Sequence, residues 1–362
     1  MDLSERIDAF AKLGDYLKDN LHDAKEINLT GDNSGETFFN DPELLRISVE
    51  AQKINPWFIP GFIHHALAEI SRILEKDTLG EWTIRYPLED FHPKKSLIVG
   101  TILAGNIPAV GFHDFLSILL SGNHFKGKAS GKDNKLLPFL AEKLKAIEPR
   151  FAQFLHFEES HLGIIDAMIA TGGNNSFRYF DYYFGKYPHI FRKNRNGIAI
   201  LTGDEPAMDL RSLADDIFLY FGMGCRNVTK LYVPEGYSFD AFFGEMEKYQ
   251  AVTDHHKYAN NYLYQRSVFL MNQVKHLDNG FLLLRKDPAT SSPVGTLHYE
   301  TYQDKSTLLA GLQTLQDSIQ CIAGPSLPGL RTVDLGSTQF PKPWDYADNV
   351  DTLNFLLNLS KK

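Results

Sequence analysis

Residues 96–130 read SLIVGTILAGNIPAVGFHDFLSILLSGNHFKGKAS. The run 96–103, SLIVGTIL, has the length and continuous apolar character of a buried strand, and Gly105, Asn106 and Pro108 stop it in a turn. Apolar residues then recur at helical spacing from about 109 to 121, and HFKGKAS predicts a second short strand. Strand, turn, helix and strand in this order form the unit of a parallel sheet.

The alternation continues outward. A helix is predicted around 136–147, a third apolar run IIDAMIAT at 164–171 ends in TGG, and a fourth, NGIAILTG, spans 196–203. An α/β fold follows, a parallel sheet with helices on both faces. Upstream, residues 1 to about 75 read as helices separated at Pro56 and Pro60, with Leu3, Ile7, Phe10, Leu13 and Leu17 on one side of the first. WTIRYP at 82–87 alternates in the manner of a strand. Downstream, DLRSLADDIFLYFGMG reads as a helix ending on Gly224, just before Cys225. RNVTKLYVPEG reads as a strand, and FDAFFGEMEKYQAV and STLLAGLQTLQDSI as amphipathic helices with strand-like pieces at 280–300 between them. Residues 325–350, rich in Pro, Gly and Asp, are expected to wrap the surface.

Composition narrows the function classes. The 362 residues are 43% hydrophobic and 12% aromatic, enough for a packed core in two or three domains. A net charge of −8 without a basic stripe excludes a general nucleic-acid binder. The amphipathic N-terminus carries early acids and no apolar signal core, and the longest apolar stretches are cut by Gly, Asn and Pro, so no membrane span and a cytoplasmic protein are expected. Two cysteines, Cys225 and Cys321, make neither a disulfide framework nor a Cys-rich zinc site. His64-His65 and Asp254-His255-His256 lack the spacing of a metal motif, and no metal is expected.

The residues suited to chemistry each admit a plainer role. Cys225, in FGMGCRNV, is placed where backbone NH groups can surround its sulfur and favour the thiolate; the plainer role is packing. Asn106, at the carboxyl end of a strand, can donate to a developing oxyanion or simply begin a turn ahead of proline. Lys128, past the second strand, can meet a cofactor hydroxyl or phosphate or lie in solvent. Thr171, Gly172 and Gly173 can let a pyrophosphate approach a helix N-terminus or form an ordinary glycine turn.

The order and spacing of these segments resemble the aldehyde dehydrogenase superfamily. Asn-Ile-Pro at 106–108 is similar to its Asn-x-Pro turn, SGNHFKGKAS to its Gly-Asn-x-x-x-x-Lys-x-Ser segment, ATGG to its Thr-Gly-Ser turn, and GMGC to its Gly-Gln-x-Cys nucleophile motif. The resemblance runs from about 90 to 240, and AGNIPAVGFHDFLSILLSGN is most similar to the LuxC-type acyl-CoA reductases. It implies an aldehyde dehydrogenase-like fold: a Rossmann-like cofactor domain at 1–195 with the N-terminal helices, an α/β catalytic domain at 196–335, and a tail at 336–362 packing back. A short oligomerisation strand is expected near 82–91. It further implies Cys225 as nucleophile, Asn106 as oxyanion donor, Lys128 and Ser130 at the adenosine ribose, and the Thr171–Gly173 turn near the pyrophosphate. NADPH is the expected cofactor, with NADH the alternative: the acidic residue that NAD-preferring relatives carry three positions after the ribose lysine is here Gly131.

One departure sets the expected chemistry. Aldehyde oxidisers of this superfamily carry a Glu general base before the cysteine, and Arg192 falls about where it would stand. Without a base to activate water, exchange of the acyl group with a thiol is favoured over hydrolysis. The expected activity is NADPH-dependent reduction of an acyl-CoA to an aldehyde, by a homo-oligomer or with a partner acyl-transfer enzyme. A related semialdehyde or acyl-phosphate oxidoreductase, and a non-catalytic binding subunit of the same fold, are the alternatives. Glu300, in HYETY, echoes the family's Glu-x-Phe ribose contact only faintly.

Overall fold

A computed structural model describes residues 1–22 and 38–361; the part of the predicted N-terminal helical stretch at 23–37 lies outside the described residues. The chain forms two compact units. One comprises 1–22, 38–193 and 342–361, the other 194–341.

The first unit begins with α1 (Leu3–Asn20), started by a capping box in which the Asp2 side chain accepts from Glu5 N while the Glu5 side chain accepts from Asp2 N. The predicted apolar side is real: Leu3, Phe10, Leu13 and Leu17 are buried. Helices α2 (Pro42–Ile54), α3 (Pro60–Ile73) and α4 (Lys76–Thr83) follow. The strand expected near 82–91 does not form. Trp82 and Thr83 close α4, Leu88–Phe91 is a 3-10 turn, and Ile84 is exposed. Leu79, Trp82 and Thr83 are buried together, so helical spacing with Leu79 prevails over the alternation of Trp82, Ile84 and Tyr86. Trp82 is fixed by donating Nε1–H to Tyr346 Oη at 2.7 Å.

Next come β1 (Ile98–Ile102), α5 (Phe112–Leu120), β2 (His124–Lys128), α6 (Leu136–Ile147), β3 (Leu155–Phe157), β4 (Ala167–Thr171), α7 (Asn174–Phe184) and β5 (His189–Arg192). The five strands are all parallel, in the order β3-β2-β1-β4-β5. Ala167 to Ala170 are wholly buried, as strands covered on both faces require. The chain winds outward from β1 through β2 to β3, then returns to place β4 on the other side of β1. That reversal opens a crevice at the carboxyl ends of β1 and β4, the place where open α/β sheets bind ligands. Phe10, Phe115, Phe125 and Phe151 form an edge-to-face cluster that welds α1 and α5 to the sheet.

The second unit contains β6 (Asn196–Ile200), α8 (Ala207–Phe218), β7 (Val228–Pro234), α9 (Asp240–Met246), α10 (His256–Met271), β8 (Leu277–Asp278), β9 (Leu283–Lys286), β10 (Thr296–Tyr302), α11 (Lys305–Thr314) and β11 (Ile319–Ala323). Its sheet runs β11-β6-β7-β10-β9-β8, parallel except for β8 against β9. The helix predicted to reach Gly224 ends at Phe218. Tyr220 and Phe221 both adopt left-handed backbone, at φ 54° each, and reverse the chain. The chain then re-enters the first unit, where α12 (Thr352–Leu359) packs on α5. Among the described residues no helix is long and apolar enough to cross a membrane.

Candidate active site

At the crevice of the first unit, the turn after β1 is held from two sides. Asn55, buried at the end of α2, donates Nδ2–H to Gly105 O at 3.3 Å, and Asp133 Oδ2 accepts from Ala109 N at 2.8 Å. Asp133 also accepts from Leu136 N, so one carboxylate ties the β1 turn to the start of α6. Burial pushes the Asp133 carboxyl up to about 6 despite these backbone donors. Between these supports Asn106 stands exposed at the tip of the turn. Sequence reading missed Asn55 and Asp133, whose partners lie 50 and 24 residues away.

The residues that the resemblance assigns to the cofactor cluster at the same edge. Strand register sets Lys128 and Ala170 on either side of Ile102, and Thr171 beside Arg192. Lys128 Nζ donates to Ser160 O at 2.8 Å, one of the three hydrogens an ammonium offers. Ser130 Oγ accepts from Lys132 N at 3.2 Å and lies so near Gly105 that a Cβ there would come within 2.6 Å of it. Gly173 is the N-cap of α7, and a Cβ on Gly172 would meet Ser176 and Phe180 at about 3 Å. Gly172 is therefore packed too closely for a side chain, and the first amides of α7 follow the turn directly.

Arg192 ends β5 as a buried residue. Its Nη1 donates to Asp114 Oδ2 at 2.6 Å and its Nη2 to Thr352 Oγ1 at 2.8 Å, joining β5 to α5 and α12.

In the second unit Cys225 is exposed on the tight turn Gly224–Asn227, closed by Asn227 N donating to Gly224 O at 3.1 Å. Asn227 is completely buried and staples this turn. Its Oδ1 accepts from Gly224 N at 2.7 Å, while Nδ2 donates to Asp216 O at 3.0 Å and Leu219 O at 2.8 Å. The strained Tyr220 and Phe221 precede the turn, and Phe221 is stacked on His255 with centroids 4.4 Å apart. Cys321, on β11, donates its thiol to Arg226 O at 3.5 Å and forms no disulfide with Cys225; burial pushes its thiol up to about 12. Glu300 is engaged in an ion pair with the buried Lys230. The histidines set aside as metal ligands have backbone partners: His64 Nε2 lies 2.7 Å from His22 O, and His255 Nδ1 accepts from Tyr258 N.

No family model and no curated protein matches the sequence. Solved structures do match. Aldehyde dehydrogenase 21 from Physcomitrella patens, solved with the reaction product succinate, is 13% identical with a TM-score of 0.64, over 99% of this chain and 84% of that one. The aldehyde dehydrogenase KauB from Pseudomonas aeruginosa is 11% identical with a TM-score of 0.61, over 90% and 73%. An NADP-dependent enzyme of E. coli is 12% identical with a TM-score of 0.57, over 90% and 74%. The chain has the aldehyde dehydrogenase fold, with a Rossmann-like parallel sheet.

Proposed function

We propose that this protein is an oxidoreductase that reduces an acyl-CoA thioester to an aldehyde with NADPH, through an acyl-enzyme on Cys225. The observation that carries the reading is Arg192. The resemblance puts the general base of aldehyde oxidisers at this position, and here a buried guanidinium is held by Asp114 and Thr352. An arginine side chain cannot accept a proton, so it cannot activate water against an acyl-enzyme. The acyl group then exchanges with a thiol, which makes a thioester the matching substrate.

Two further features support it. Cys225 is exposed on a turn whose backbone is over-determined by Asn227 and by two left-handed residues, as a fixed nucleophile requires. The glycine turn at Gly172 and Gly173, the α7 N-terminus and Lys128 at the crevice fit a dinucleotide phosphate. Bound there, NADPH would supply the hydride.

In this reading the Cys225 thiolate adds to the thioester carbonyl, and the resemblance gives the Asn106 amide the role of donor to its oxygen. The bond from the carbonyl carbon to the CoA sulfur breaks, and CoA takes a proton and leaves as the thiol. Once the carbonyl carbon has accepted hydride, the bond to the Cys225 sulfur breaks, releasing aldehyde and regenerating the thiolate.

The test follows NADPH absorbance with a panel of acyl-CoAs of rising chain length. Turnover that Cys225→Ala abolishes is expected. Oxidation of aldehydes, or reduction of acyl phosphates, with no acyl-CoA turnover would replace this reading.

A further inference from the structure

The amino edge of the first unit's sheet carries an open pocket of about 220 Å³. Its walls come from the chain leading into β1 (Phe91 to Ser96), from Leu119 and Gly122 ahead of β2, and from Phe151 and Phe154 ahead of β3. The proposed cofactor turns all follow carboxyl ends of strands, so the cavity lies at the other edge of the same sheet.

Arg6 of α1 lines this cavity and is only 2% exposed. Its Nε donates to Asp2 O at 3.1 Å and its Nη2 to Phe91 O at 2.5 Å, both neutral carbonyls. Nη1 makes no hydrogen bond among the described residues. It lies over Gly122, where a Cβ would come within 2.3 Å of it. No carboxylate among the described residues is within ion-pair distance of the guanidinium. A buried charge is normally paired, because desolvating it costs several kcal/mol. Burial accordingly pulls the Arg6 pKa down to about 10, against the longer-range attraction of the Asp2 and Glu5 carboxylates. The chain thus holds a largely buried cation with an unused donor, facing a mixed wall that includes Phe91, Phe151 and Phe154 beside His92, Ser96 and Leu119.

We propose that this cavity binds a small organic anion, a carboxylate or phosphate monoester on an aromatic body, with its anionic group on Arg6 Nη1 and its ring against Phe151 and Phe154. The size agrees, since an apolar cavity of roughly 150 Å³ takes up benzene, and the remaining space matches one anionic group. An anion there also supplies a counter-charge at contact distance, nearer than Asp2 and Glu5, so its binding stabilises the native state.

The experiment is isothermal titration of the full chain with benzoate, phenyl phosphate, inorganic phosphate and benzyl alcohol. Saturable binding of benzoate or phenyl phosphate is expected, and the tighter of the two identifies the head group. Inorganic phosphate and benzyl alcohol should each bind at least about tenfold more weakly. Arg6→Gln should lose binding by about tenfold or more. Ser96→Trp, which fills the cavity from its rim and keeps Arg6, should abolish binding at an unchanged melting temperature; this second variant decides the matter if Arg6→Gln does not fold. No saturable binding of either aromatic anion, equal binding of the neutral alcohol or of bare phosphate, or unchanged affinity in Ser96→Trp would each overturn the proposal.

Discussion

Arg192 and Asp114 form a buried ion pair, Nη1 to Oδ2 at 2.6 Å, with both side chains almost wholly out of solvent. The pair joins the last strand of the first sheet to α5, and Thr352 on the same guanidinium adds α12. Removing one partner strands the other charge in the interior. Arg192→Ala should therefore lower unfolding free energy by about 3–5 kcal/mol, whereas Arg192→Met with Asp114→Leu should recover much of that loss. Urea unfolding of the two proteins measures both. A single variant as stable as the parent would show that the pair contributes nothing.

Asn227 is expected to position Cys225 without touching substrate. Asn227→Ala leaves Gly224 N and the carbonyls of Asp216 and Leu219 without their side-chain partner, at about 1–3 kcal/mol for each buried group that water cannot reach. The turn should loosen, and kcat should fall more than KM changes. Asn227→Asp, which retains the acceptor for Gly224 N, should recover part of the rate. Equal kcat in all three proteins would reduce Asn227 to a packing residue.

The two cysteines should behave differently toward iodoacetamide. Cys225 is exposed, while the Cys321 thiol is pushed up to about 12 by burial and stays protonated at neutral pH. Native protein should take up one equivalent, at Cys225, and lose the proposed acyl-CoA turnover in proportion. Cys225→Ala should be inactive and Cys321→Ala close to neutral. Labelling at Cys321 first, or activity of Cys225→Ala within about tenfold of the parent, corresponding to only ~1.4 kcal/mol, would refute the assignment.

Three of the first sheet's five strands were legible, at 96–103, 124–130 and 164–171, set off by Gly and Pro, whereas β3 (Leu155–Phe157) and β5 (His189–Arg192) are too short to stand out. The turns carrying Asn106, Thr171 and Cys225 could be located for the same reason. What it could not convey were long-range supports. Asn55, Asp133 and Asn227 read as ordinary polar residues, and only folding brings Asn55 and Asp133 to the β1 turn. The helix α10 was hidden because HKYANNYLYQRSVFLM buries only Tyr258, Tyr262 and Phe269, too few to mark a face. The stretch at 82–87 misled through local alternation, since the helix depends on Leu79, outside that window.

Asp133 predicts a pH dependence of stability. Its carboxyl sits at about 6 in the fold against an ordinary 3.8, because burial outweighs the hydrogen bonds from Ala109 and Leu136. Between these values the folded protein holds a proton that the unfolded chain has lost. Stability from this group must therefore fall as pH rises through that window, by about 3 kcal/mol at most, and level off above it. Asp216, also raised to about 6 by burial, acts in the same direction. Asp133→Asn should flatten the fall. Urea unfolding from about pH 4 to 7 checks it, and an unchanged slope in the variant would remove Asp133 as its source.

On the proposed function, cofactor choice is expected to turn on Gly131. The resemblance sets an acidic residue there in NAD-preferring relatives, where it accepts the ribose 2′-hydroxyl and repels a 2′-phosphate. Here that carboxylate is missing, Lys128 and Lys132 bracket the position, and Lys128 Nζ spends one hydrogen on Ser160 O with two left to donate. A 2′-phosphate carries close to two negative charges, so its contact with an ammonium is stronger than that of a neutral ribose hydroxyl. Gly131 is exposed, and a Cβ added to it meets nothing within 4 Å, so an acidic side chain can be introduced without strain. Gly131→Asp should lower kcat/KM for NADPH by about tenfold or more, and leave NADH nearly unchanged. Lys128→Ala should hurt NADPH more than NADH. Equal kcat/KM for both cofactors on the parent protein, or the same loss for both in Lys128→Ala, would show that this edge of the sheet has no 2′-phosphate site.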